Sequence, residues 1–283
     1  MNKEEIKGLN WWARQRVRGF MNGLHKSPDF GFSLDFAQHR EYVPGDSPKF
    51  IDWTVLARQD KYLTKQFEAE SNLRAYFLLD SSSSMYGEDG ERWEYAVRQI
   101  ALSAALLSKQ RDALGLIDVR QENNFFFQAK NTDEALEQVL YHIAERSQTP
   151  QNNGDLEGAI SMLLSEIAPR SEVLFLTDPY HENLELLCER LGVFVDAGHY
   201  IKILMLVSKE RELQTSYYAG QFVKDSENGM KTILSAQETK SLNSYIKAQL
   251  DIVKNSAELF GIKSNVLFIE DEPLLSFSKV LEP

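Results

Sequence analysis

Residues 74–85 read Arg74-Ala75-Tyr76-Phe77-Leu78-Leu79-Asp80-Ser81-Ser82-Ser83-Ser84-Met85. From Ala75 to Leu79 no polar residue interrupts the apolar run. Both faces of the strand it predicts must therefore be covered, as in a parallel sheet packed between helices. The strand then stops at an acid followed by four hydroxyls. The pattern recurs downstream: Ala113 to Val119, Val173 to Leu176, Ile201 to Val207 and Asn265 to Ile269 predict further buried strands. Phe125 to Phe127 adds an edge strand after a reversal at Asn123-Asn124. Between these runs, Glu91 to Gln110, Thr132 to Arg146, Asp155 to Ala168, Asn183 to Ala197 and Gln237 to Phe260 carry apolar residues at three- and four-residue spacing and predict helices. The alternation predicts an α/β fold, a doubly wound and mostly parallel sheet, over residues 74–283.

Residues 1–73 have a different texture. They are aromatic, nearly balanced in charge and punctuated by Pro28, Gly31, Pro44, Gly45 and Pro48 too often for long regular elements. A short helix over Trp11 to Phe20 and a strand over Tyr62 to Phe67 are expected, in an N-terminal arm packed on the main domain.

The chain has 283 residues, 43% hydrophobic and 11% aromatic, enough for one sizeable core. Its formal charge of -11, borne mainly after the arm, excludes nonspecific nucleic-acid binding as the main task, because neutralising phosphates needs a basic surface. Cys188 is the only cysteine, so no intrachain disulfide and no thiolate-rich metal site is possible. With no apolar run of signal-peptide or membrane-span length, the expected location is the cytoplasm, without membrane insertion.

An open α/β sheet binds ligands beyond the carboxyl ends of its strands, where the strand order reverses. Three loops fall there: Asp80 to Met85, Asn152-Asn153-Gly154-Asp155, and Thr177-Asp178. Asp-x-Ser-x-Ser can turn Asp80, Ser82 and Ser84 toward one point, and Asp178 can approach it from a neighbouring strand. Two hydroxyls and two carboxylates are hard ligands that suit octahedral Mg²⁺ or Mn²⁺ and leave positions for an incoming partner carboxylate. Zinc does not suit them. The plainer reading is a polar turn that caps the following helix.

At these residues the sequence resembles the von Willebrand factor A fold and its metal-ion-dependent adhesion site. More closely it resembles the DUF58 family. Phe36 with Arg40 and Tyr42, Gly45-Asp46-Ser47-Pro48, Ile51-Asp52-Trp53, Ala57-Arg58 and Lys65-Gln66-Phe67-Glu68-Ala69-Glu70 lead in order into Leu78-Leu79-Asp80. The resemblance implies a noncatalytic interaction domain that engages an acidic residue of a partner and works with a MoxR-type AAA+ ATPase in chaperone-like assembly or activation. It implies Asp80, Ser82, Ser84 and Asp178 as metal ligands. The second loop departs from the family pattern, because Gly154 stands where a threonine ligand is expected. This leaves three expectations: weakened metal affinity, substitution by Asp155 or a water, or a site that is a metal-free relic. In the arm, Arg40, Asp52 and Arg58 form a charge-paired set that is expected to be structural.

The five histidines have no metal-ligand spacing; His181, three residues after Asp178, can border the site, although a surface or capping role is the first expectation. Cys188 falls in an apolar helical pattern and is expected to be an inert core thiol. No glycine-rich phosphate loop is present, so ATP is expected to belong to a partner. The polar stretch Asp225 to Gly229 predicts the tip of a hairpin. An alternative activity is Mg²⁺-dependent phosphoryl transfer with Asp80 as nucleophile. Ser82 stands against it, occupying the place where the acid-base carboxylate is needed.

Overall fold

The structure is a computed structural model that describes residues 3–24, 36–42, 51–59, 61–67, 73–86, 90–110, 112–119, 124–131, 133–146, 155–181, 183–214, 222–224, 231–233 and 235–281. The chain forms two compact units, Gly19–Asn72, and Met1–Arg18 together with Leu73–Pro283.

Helix α1 (Lys3–Leu24) begins in the larger unit, burying Ile6, Ala13 and Val17 along one stripe and pairing Arg16 with Glu272 at 2.8 Å. The first 18 residues, expected in the arm, thus belong with the main body. Within the smaller unit, β1 (Phe36–Glu41) runs antiparallel to β2 (Leu63–Phe67), with α2 (Trp53–Gln59) between them in sequence. The buried Asp52 caps α2 by accepting the Val55 N–H at 3.2 Å. The expected tight turn at Gly45 to Pro48 lies outside the described residues.

The larger unit continues with β3 (Arg74–Leu79), α3 (Ser83–Tyr86), α4 (Glu91–Gln110), β4 (Ala113–Asp118), β5 (Phe125–Lys130), α5 (Asp133–Arg146), α6 (Leu156–Glu166), β6 (Glu172–Thr177), α7 (Leu184–Asp196) and β7 (Tyr200–Val207). A single π-helical turn, Lys209–Leu213, and a small antiparallel pair, β8 (Phe222–Lys224) and β9 (Lys231–Ile233), precede α8 (Ala236–Leu259), β10 (Lys263–Phe268) and α9 (Pro273–Leu281). The six-stranded sheet has the order β10-β7-β6-β3-β4-β5 and is parallel except for β5. It is the doubly wound α/β sheet expected, with the edge strand antiparallel as read.

One face of the sheet, with Tyr76, Leu78, Phe175 and Ile203, packs against α6, α7 and α8 through Leu163, Leu191, Phe194 and Val253. Each such side chain contributes roughly 1.5–3 kcal/mol by leaving water. Cys188 lies in this layer, its thiol pushed up to about 11 by burial, an inert core residue as expected. Gly115 is opposite Tyr76 in the β3–β4 register. A Cβ there would collide with the Tyr76 ring and come within 3.0 Å of the Phe127 carbonyl, so only glycine leaves the ring its place.

Chain order reverses between neighbouring β3 and β6. Asp80 and Asp178 each follow the last residue of one of these strands, and the Asp80 N–H bonds back to the Leu176 carbonyl at 3.1 Å. Among the described residues, no helix is long and apolar enough to cross a membrane.

Candidate functional site at the carboxyl end of the sheet

The serine loop is fixed from within and from the side. Asp80 Oδ1 accepts the Ser82 N–H at 2.9 Å, a local turn that aspartate favours. The buried Ser81 faces away from the cleft and donates its hydroxyl to Asp118, the last residue of β4. Asp118 is also 3.1 Å from His142 Nε2, whose ring stacks on Phe125. With Ser81 so anchored, Ser82 and Ser84 place their hydroxyl oxygens 3.0 Å apart.

These hydroxyls, with Asp80 and Asp178, line one cleft of about 340 Å³. The rest of its lining mixes apolar Val119, Leu156, Ile160 and Leu187 with the polar Glu157, Asn183 and Arg190. Four of the five expected ligands are therefore brought together. Asp155 is not: it is exposed, and its carboxylate caps α6 by accepting the Gly158 N–H at 2.8 Å. Gly154 lies outside the described residues.

Asp80 and Asp178 are both buried and already partnered. Asp80 Oδ2 accepts the Thr177 hydroxyl at 2.7 Å and lies 3.0 Å from His181 Nε2. Burial alone would raise the Asp80 carboxyl, but the His181 bond and charge, with the Thr177 and Ser82 donors, hold it at about 2. His181 responds in kind: burial opposes its charge, yet Asp80 raises its pKa above the ordinary value. Asp178 Oδ1 accepts the Tyr180 N–H at 3.0 Å, and its Oδ2 lies 3.2 Å from an Arg92 nitrogen. Burial and the neighbouring Asp80 charge outweigh Arg92 and leave the Asp178 carboxyl raised.

Three residues of this network have no place in the sequence-derived site: Tyr180, Arg92 and Glu212, which pairs with Arg92. His181, read as able to border the site though first expected at the surface or as a cap, borders it and pairs with Asp80. One signal for Arg92 was available. It is the second residue of α4, and a cation in the first turn of a helix opposes the helix dipole unless acids elsewhere compensate.

An octahedral cation bonded at 2.0–2.1 Å sets adjacent ligands about 3 Å apart. Ser82 and Ser84 fit that spacing. The carboxylates do not fit a resident ion, because His181 and Arg92 already supply their counter-charge. Among the described residues, no group of three or more His, Cys, Asp or Glu side chains is placed to hold a metal.

The family model described as "Protein of unknown function DUF58" matches residues 38–251. The chain belongs to the DUF58 family. This DUF58 chain is 27% identical over 138 residues to the uncharacterized protein YeaD of Bacillus subtilis, covering 46% of this chain and 33% of that protein. It is 26% identical over 176 residues to the uncharacterized protein Rv1480 of Mycobacterium tuberculosis, covering 61% and 56%. It thus spans from a third to just over half the length of these relatives. Among solved structures it is similar to BatB from Bacteroides thetaiotaomicron, with TM-score 0.49 at 15% identity over 74% of this chain and 97% of that one. It is also similar to the SpRpn10 VWA domain, with TM-score 0.45 at 11% identity over 75% and 95%.

Proposed function

We propose that this DUF58 chain is a noncatalytic protein-interaction module whose recognition site is the cleft between the serine loop and Asp178. The observation that carries this reading is the convergence of the Ser82 and Ser84 hydroxyls with two buried carboxylates at the strand-order reversal, beside the apolar side chains of Leu156, Ile160 and Leu187. Hydroxyls offer directional hydrogen bonds to a visiting carboxylate, and Leu156, Ile160 and Leu187 offer apolar contact to an adjacent side chain. The partner in this proposal is a protein bearing an exposed acidic residue, a MoxR-type AAA+ ATPase by the family resemblance, for which the chain acts as an adaptor.

Against phosphoryl transfer, Ser82 stands where the acid-base carboxylate is needed. The test of the main reading is direct binding between the purified chain and a purified MoxR-type ATPase, measured by calorimetry for wild type and for the S82A S84A double variant. At least a tenfold loss of affinity in a folded double variant is expected; equal affinity assigns recognition elsewhere.

A second reading keeps a divalent cation, because the 3.0 Å spacing of the two hydroxyls suits adjacent ligands of Mg²⁺ or Mn²⁺. Chelator sensitivity of the same binding curve separates the two.

A further inference from the structure

Arg92 is the most heavily engaged side chain at the rim. Its Nη1 donates to the Ser84 carbonyl at 2.7 Å and to Asp178 Oδ2 at 3.2 Å, while its Nη2 donates to Glu212 Oε1. The guanidinium lies over the Tyr180 ring, 5.5 Å from the centroid. Tyr180 in turn donates its hydroxyl to Glu212 at 2.6 Å. Glu212 is buried, and its other oxygen accepts the Ser208 N–H at 2.7 Å. A π-helical turn after β7 delivers it, a rare geometry that recurs where a side chain must be re-aimed at a functional site. One guanidinium therefore ties together the serine loop, the end of β6 and the segment after β7. Lysine has no equivalent, since its single charged point cannot form this fork.

We propose that Arg92 is a built-in counter-cation that takes the electrostatic place of a divalent metal at this rim, so that the cleft is organised without metal and gains a metal site only when Arg92 is removed. A doubly charged ion bound through Asp178 would sit against the guanidinium and be repelled in a poorly screened environment. Displacing Arg92 to admit the ion would strip the buried Glu212 of the guanidinium charge that faces it, which is strongly unfavourable. Each acid at the rim has a cationic partner within the chain: His181 faces Asp80, and Arg92 is shared between Asp178 and Glu212.

The inference concerns the rim of the interaction module proposed above and rests on that reading only for the site's purpose. Its test uses the free chain of 283 residues and metal alone, so it stands or falls separately from partner binding. Mn²⁺ is titrated into wild type and followed by loss of the free-ion electron paramagnetic resonance signal, with Mg²⁺ as competitor. Wild type is expected to show no saturable binding up to millimolar metal. The R92Q variant, and the R92Q E212Q double variant that removes the buried acid together with its cation, are expected to bind at least tenfold more tightly than wild type. The same gain should vanish on adding D178N. Saturable submillimolar binding by wild type overturns the proposal. So does a folded R92Q or R92Q E212Q that gains nothing. The double variant decides the matter should the single one fail to fold.

Discussion

His181 Nε2 lies 3.0 Å from Asp80 Oδ2, an ion pair with its acid almost fully buried at the mouth of the β3 loop. The two shifts have opposite signs and bracket a pH window. Asp80, lowered from 3.8 to about 2, contributes stability that is present above 3.8 and lost as pH falls toward 2. His181, raised above 6.5, contributes stability that is present below 6.5 and lost as pH rises through its folded value. The stability difference between wild type and H181Q should therefore be largest between about pH 4 and 6.5, on the order of 1–2 kcal/mol, and shrink on both sides. Urea unfolding at acid, mildly acid and alkaline pH measures it. A difference that grows at alkaline pH would contradict the pair.

Ser81 is the residue of the serine loop that holds it in place. S81A leaves the buried Asp118 short of a donor and should cost about 1–3 kcal/mol. S82A S84A removes a hydroxyl pair at the cleft and should cost less, about 1 kcal/mol. Chemical denaturation of the two variants side by side gives the ranking; the reverse order would mean that the loop is not anchored through Asp118.

Asp155 separates capping from recognition. D155A removes the N-cap of α6 and should lower stability by about 0.5–2 kcal/mol while leaving partner affinity unchanged. Thermal unfolding and the binding assay report the two effects independently, and a large affinity loss with intact stability would restore Asp155 to the recognition site.

Gly115 tests the core below the site. G115A drives a methyl group into the Tyr76 ring and toward the Phe127 carbonyl, an overpacking that should cost about 1–3 kcal/mol. Y76L G115A should recover part of this, because removing the ring opens the space. Strict additivity of the two changes in urea unfolding would show that the methyl group is accommodated elsewhere.

The sheet was legible because parallel strands buried on both faces leave an unbroken apolar signature, which is why Val173 to Leu176 and Ile201 to Val207 foreshadow β6 and β7. Helix α4 begins and ends where its apolar spacing does. By contrast, β1 is the polar run Phe-Ala-Gln-His-Arg-Glu, whose strand character comes from pairing with β2. Helix α9 is nine residues long, too short for its periodicity to announce it.

Local order in the chain determined the α/β architecture and put Asp80, Ser82, Ser84 and Asp178 at strand ends, since alternation of apolar runs and the point where each run stops are properties of neighbouring residues. The tertiary structure alone decided what those acids face. Arg92 and Asp178 are separated by 86 positions, and Arg92 and Glu212 by 120. Charge compensation acts through space, so no sequence spacing records which distant cation neutralises a buried carboxylate.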